Sequence, residues 1–160
     1  MSAKKGKTNK DQAAKLFSFL GSPFVEEPGN KTLKSSEIDD LFELSFENRV
    51  ALLMLNKCFD HGIELSVLAK KNHQKLLERR AQTDEILKKL TRLLDENYKD
   101  QWAFFKTVKP FASTPNDTDW FPFDTKKHAE MCDVLLANGF EFLENAPLQL
   151  TLIDQSGVGI

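Results

Sequence analysis

An α+β fold is predicted for this chain: a helical N-terminal segment, then a small mixed β-sheet with a helix. Two observations predict it. Between positions 37 and 98 apolar residues recur with helical spacing, most clearly at Ile86, Leu87, Leu90, Leu93 and Leu94. From Gln101 the period changes, and two short aromatic runs, 102–105 and 120–123, flank a polar loop. Composition allows such a core. The 160 residues are 41% hydrophobic, and thirteen Phe set against a single Tyr imply an interior dominated by phenylalanine.

Positions 1–35 read as a basic tail, a short helix and a linker. The tail carries Lys4, Lys5, Lys7 and Lys10 and is expected to be disordered. A short helix over 11–20 would turn Ala14, Leu16, Phe17 and Leu20 inward and stop at Gly21. Two Pro and two Gly within 21–36 mark the linker.

Positions 36–99 read as helical. Ser36 is placed to cap a first helix, with Glu37, Asp39 and Asp40 where negative charge suits the helix dipole. A strong helix follows over 46–60; its centre, VALLML, is apolar nearly all round, and Gly62 lies just past its end. A further helix runs over 64–98, with a break expected in its polar middle and Thr83 as the new N-cap. Asp84 to Lys88 and Glu85 to Lys89 are expected to pair across one turn of its outer face.

Positions 100–160 read as the α/β core. Strands are expected over 102–111 and 120–123, the second at a sheet edge because it contains Pro122. Asp124 or Thr125 caps a helix, TKKHAEMCDVLLAN, with Ala129, Cys132, Leu135 and Leu136 inward and Gly139 at its end. Strands over 140–144 and 147–153 follow, the latter with Leu148, Leu150 and Leu152 on one face; then come a turn at 154–157 and the start of a fifth strand. A strand that stops after three residues suggests a fragment of a longer chain.

Several function classes are excluded or weakened. The net charge of −2 shows no basic stripe, so no general DNA or RNA binding is expected. Three His and no CxxC or HExxH make a zinc site improbable, and Cys58 and Cys132 read as small buried hydrophobes. No apolar run is long enough for a transmembrane helix and no signal peptide is visible; a cytoplasmic protein without membrane contact is expected.

The sharpest chemical signal is Asp117-Thr118-Asp119. On an extended backbone, side chains i and i+2 share a face, so the two carboxylates would stand side by side and raise each other's pKa. A divalent metal uses that arrangement, since Mg²⁺ takes hard oxygen ligands and is usually held by one or two carboxylates plus phosphate oxygens. The plainer alternative is turn chemistry, because Asn116 and the aspartates also favour turns.

The order of strand, loop, D-x-D strand, helix, strand and hairpin resembles the nucleotidyltransferase superfamily, the DNA-polymerase-β-like fold. More narrowly, FKTVKPF…PNDTDW, LLANGFEF and PLQLTLIDQSGVGI resemble uncharacterised archaeal-type nucleotidyltransferase-like proteins, over roughly 100–160. The resemblance implies Asp117 and Asp119 as Mg²⁺ (or Mn²⁺) ligands and catalytic carboxylates, with a nucleoside triphosphate as ligand. The acceptor is unassigned. A third carboxylate would fall beyond Ile160, with Asp154 as the nearest substitute. The family's Gly-Ser pair is absent; Lys106, Lys109, Ser113 and Thr114 are the candidate nucleotide-binding residues instead. The two lysines either meet phosphate as point charges or form the solvent face of an edge strand. The competing reading is a non-enzymatic helical interaction or regulatory module, antitoxin-like, in which the helices of 37–98 meet a protein partner.

Overall fold

The computed structural model describes residues 2–21, 33–105, 111–114, 118–146, 149–155 and 157. Its elements run α1 (Ser2–Leu20), α2 (Ser35–Glu47), α3 (Ala51–Asp60), α4 (Val67–Tyr98), β1 (Trp102–Phe105), β2 (Asp119–Pro122), a 3-10 turn (Thr125–Lys127), α5 (His128–Ala137), β3 (Glu141–Ala146) and β4 (Gln149–Ile153). The class is α+β, as expected. The single mixed sheet is not found: the described strands form two separate antiparallel pairs, β1 with β2 and β3 with β4. Two compact units divide the chain, Met1–Glu78 with Pro110–Thr114 and Arg79–Lys109 with Pro115–Ile160.

The first unit is helical. Its core gathers Leu16 and Phe19 of α1, Ile38 and Leu41 of α2, Leu52, Met54, Leu55 and Cys58 of α3, and Ala69 and Leu76 of α4. The inward face of α1 is therefore Leu16 and Phe19; Ala14 and Phe17, expected inside, are exposed. The basic residues near the start belong to α1, which begins at Ser2 rather than following a disordered tail. Lysine is a good helix former and no proline interrupts the run.

At α2 the cap is Lys34, not Ser36: the Glu37 carboxylate reaches back to accept the Lys34 backbone N–H at 2.8 Å. That bond is joined by one from the Lys15 ammonium. Together they hold the Glu37 carboxyl below the usual carboxylate range, the Lys15 bond being the larger cause.

The helix expected over 46–60 is two helices. Between them Arg49 adopts φ 59°, Arg49 N–H bonds Phe46 O at 3.0 Å and Val50 N–H bonds Ser45 O at 2.8 Å. That pair of bonds is a Schellman C-cap built on a non-glycine residue. The same pattern ends α3, where Gly62 (φ 65°) and Ile63 bond Phe59 O and Cys58 O.

No break occurs at Thr83. Helix α4 is continuous over 32 residues, and the buried Thr83 hydroxyl donates to Arg79 O at 3.0 Å, one turn back. Its start is fixed by Ser66, whose Oγ accepts the Ala69 N–H at 3.0 Å and donates to Asp39 at 2.8 Å. The outer-face pairs also differ from expectation. Asp84 pairs with Arg80 and Glu85 with Lys88, while Lys89 stands over the Phe140 ring, 4.4 Å from its centroid.

In the second unit Ile86, Leu90, Leu93 and Leu94 of α4 meet Met131 and Leu135 of α5, Phe140 and Leu152. Helix α5 presents Met131, Cys132 and Leu135 inward, and Ala129, expected there, is exposed. Its C-terminal end is as read from the sequence, but it starts later, at His128, and Asp124 caps the 3-10 turn before it. Asp124 accepts the Lys126 N–H at 3.0 Å, and Gly139 (φ 87°) supports Schellman bonds to Leu136 O and Leu135 O. Leu152 is buried on β4; Leu148 and the expected fifth strand lie outside the described residues. Pairing of β3 with β4 shifts register at Leu143, which fits a β-bulge.

Candidate functional site

The two short strands β1 and β2 pair antiparallel, with Trp102 opposite Pro122, Ala103 opposite Phe121, Phe104 opposite Trp120 and Phe105 opposite Asp119. Pairing in a two-stranded ribbon leaves Pro122, which lacks an N–H, at an edge. Alternation then gives the ribbon two unlike faces.

The inner face carries Trp102, Phe104 and Trp120, which pack on the second unit's core. Trp102 and Phe104 meet edge to face at 4.9 Å, and the Trp102 indole donates to Asp95 at 3.0 Å. Trp120 lies 5.8 Å from the His128 ring, and His128 in turn lies 3.7 Å from Cys132 Sγ. Burial pushes the Cys132 thiol up to about 11, helped by the charge of Asp133, so this His–Cys approach holds no thiolate at neutral pH.

The outer face carries Phe105, Phe121 and Phe123, which remain 51%, 42% and 61% exposed. Phe121 meets Phe105 at 6.3 Å and Phe123 at 5.6 Å, both edge to face, at 82° and 65°. Asp119 is exposed at the head of β2, opposite Phe105. Thr118, one residue earlier, is fully buried, and its hydroxyl has no hydrogen-bond partner among the described residues. Sequence reading passed over Thr118; only its burial singles it out.

The remaining candidates distribute as follows. Lys106, Lys109 and Asp117 lie outside the described residues. Ser113 and Thr114 are buried in the first unit beside Ala112, which packs on that unit's core. Asp119 belongs to the second unit. No group of three His, Cys, Asp or Glu side chains among the described residues is placed to hold a metal ion. The donor chemistry of Asp119 does suit a hard cation: it is an exposed carboxylate at a strand head. No described helix is long and apolar enough to cross a membrane.

Comparison of the chain with protein-family models, with curated proteins and with solved structures finds no match.

Proposed function

We propose that this chain is a nucleotidyltransferase-like cytoplasmic protein that binds a nucleoside triphosphate with Mg²⁺ or Mn²⁺, through Asp117 and Asp119. The observation that carries the reading is the exposed Asp119 at the head of β2, followed at once by an Asp124-capped 3-10 turn, helix α5 and an antiparallel strand pair. That matches part of the order of elements the family resemblance implies, whose last strand falls outside the described residues. The alternation of buried Thr118, exposed Asp119, half-buried Trp120 and exposed Phe121 also supports it, as the local pattern that lets residues i and i+2 share a face.

Asp119 and Asp117 would hold the cation and so orient the triphosphate, with the exposed phenylalanines of the outer face beside it as apolar surface. When bound, the metal supplies charge stabilisation for the oxygens of an in-line displacement at phosphorus. These residues do not select an acceptor.

Thermal unfolding tests the proposal, with each nucleoside triphosphate plus Mg²⁺ or Mn²⁺, on wild type and on Asp117→Asn/Asp119→Asn. At about 100 times its Kd a ligand stabilises by roughly 2.7 kcal/mol, a rise of several degrees in Tm. The rise is expected in wild type and absent in the double variant. No rise in wild type, or an equal one in both proteins, rejects the assignment.

A second reading, a helical module that meets a protein partner, is favoured by Phe59, Val67 and Leu68, apolar side chains left exposed at the end of α3 and the start of α4. Changing these three to Ser or Gln leaves nucleotide-dependent stabilisation intact under the first reading. Under the second it abolishes partner binding.

A further inference from the structure

Away from the β1–β2 ribbon, the second unit contains a pocket of about 390 Å³ lined by Glu85, Ile86, Lys88, Lys89 and Arg92 of α4 and Asp154 at the end of β4. The spacing of the cations follows from helix geometry: Lys88 and Arg92 are one turn apart, and Lys89 lies between them on the same side. Ile86 is buried and supplies an apolar floor. Lys89 is held over the ring of Phe140, itself buried, so its ammonium is positioned rather than free to sweep solvent. Lys88 is bonded to Glu85 at 2.8 Å in an exposed pair, which exchanges readily for a better partner. Arg92 is exposed and makes no carboxylate pair among the described residues.

We infer that this pocket binds a small phosphorylated molecule. Lys89 and Arg92 match the double charge of a phosphate monoester better than the single charge of a carboxylate, and a guanidinium presents the planar fork that two phosphate oxygens accept. The volume is in the range of small-molecule sites and larger than bare phosphate fills. The lining sets three cations, Lys88, Lys89 and Arg92, against the carboxylates of Glu85 and Asp154, so its charge balance stays positive. The turn that follows holds Asp154 at the rim, with Gly157 N–H bonding Asp154 O at 2.9 Å. The site shares no residue with the Asp117–Asp119 pair and needs no divalent cation.

Calorimetric titration of the full chain at low salt, with chelator present to silence any metal-dependent site, tests this. The probes are inorganic phosphate, inorganic pyrophosphate and ribose 5-phosphate. Saturable binding of ribose 5-phosphate, tighter than inorganic phosphate, identifies a phosphorylated organic ligand; pyrophosphate as the tightest probe assigns the pocket to a free polyphosphate. In either case Arg92→Gln, an exposed change that leaves the fold intact, is expected to weaken binding at least tenfold, as is Lys89→Gln. Raising the salt should weaken binding further. No saturable binding of any probe, or binding unchanged in Arg92→Gln, overturns the inference.

Discussion

His73 couples burial to pH. Its ring nitrogen lies 2.7 Å from Asn56 Oδ1 and donates to it, and burial lowers its pKa below the usual value. Below about pH 6.5 the unfolded chain takes up a proton that the folded imidazole declines, so stability falls as pH drops through that window. Above it both states are neutral and the effect vanishes. His73→Gln, which retains a donor for Asn56, is expected to flatten this part of the stability–pH curve; urea titrations at several pH values measure it. Glu37 acts in the carboxylate range with the same sign, its contribution present above the unfolded pKa and lost as pH falls through the lowered one. The two cysteines give a second residue-scale prediction. Burial raises both thiols to about 11, so at pH 8 native protein should react slowly with a disulfide reagent and denatured protein at the rate of free thiol. Their burial was legible in the sequence, because an uncharged thiol among helical apolar residues has few other uses.

At the scale of elements, legibility followed residue types that advertise one backbone geometry. Gly62 and Gly139 were readable as helix ends since positive φ is nearly reserved for glycine. A Cβ at Gly139 would have nothing within 4 Å among the described residues, so Gly139→Ala meets backbone strain and is expected to cost about 1–2 kcal/mol in chemical denaturation. The break at Arg49 was not readable, because arginine carries no signal for the left-handed region it occupies. Thr83 misled for the opposite reason: a residue type suited to caps instead bonds one turn back inside the helix. Ser66 is the true cap of α4, and Ser66→Ala should cost about 1 kcal/mol by the same measurement. Strand pairing was beyond the sequence for a plainer reason. Runs of four to six residues match several partners equally well, and only register against neighbours chooses between one sheet and two.

For the molecule as a whole, the two units carry separate cores, one helical and one of mixed composition. Leu55 and Leu94 are both fully buried, one in each. Leu55→Ala and Leu94→Ala should each cost about 2–5 kcal/mol. Hydrogen exchange should show the loss of protection concentrated in α2 and α3 for the first and in α5, β3 and β4 for the second. The core positions were visible in the sequence as periodic leucines. The division of α4 between both units was not, since one uninterrupted helical pattern looks the same whether it serves one core or two. Of the candidate residues, Asp119 stood out by its D-x-D motif, while the pocket beside Asp154 required residues 62 positions apart in sequence (92 against 154) to meet in space.

Thr118 draws these scales together. A buried hydroxyl without a partner among the described residues costs roughly 1–3 kcal/mol, and valine has nearly its shape without the polar atom. Thr118→Val should therefore melt higher than wild type. Because Thr118 faces inward and Asp119 outward, the hardier variant leaves the exposed face of β2 unchanged. A library screened for heat resistance alone would therefore find position 118 without disturbing that face.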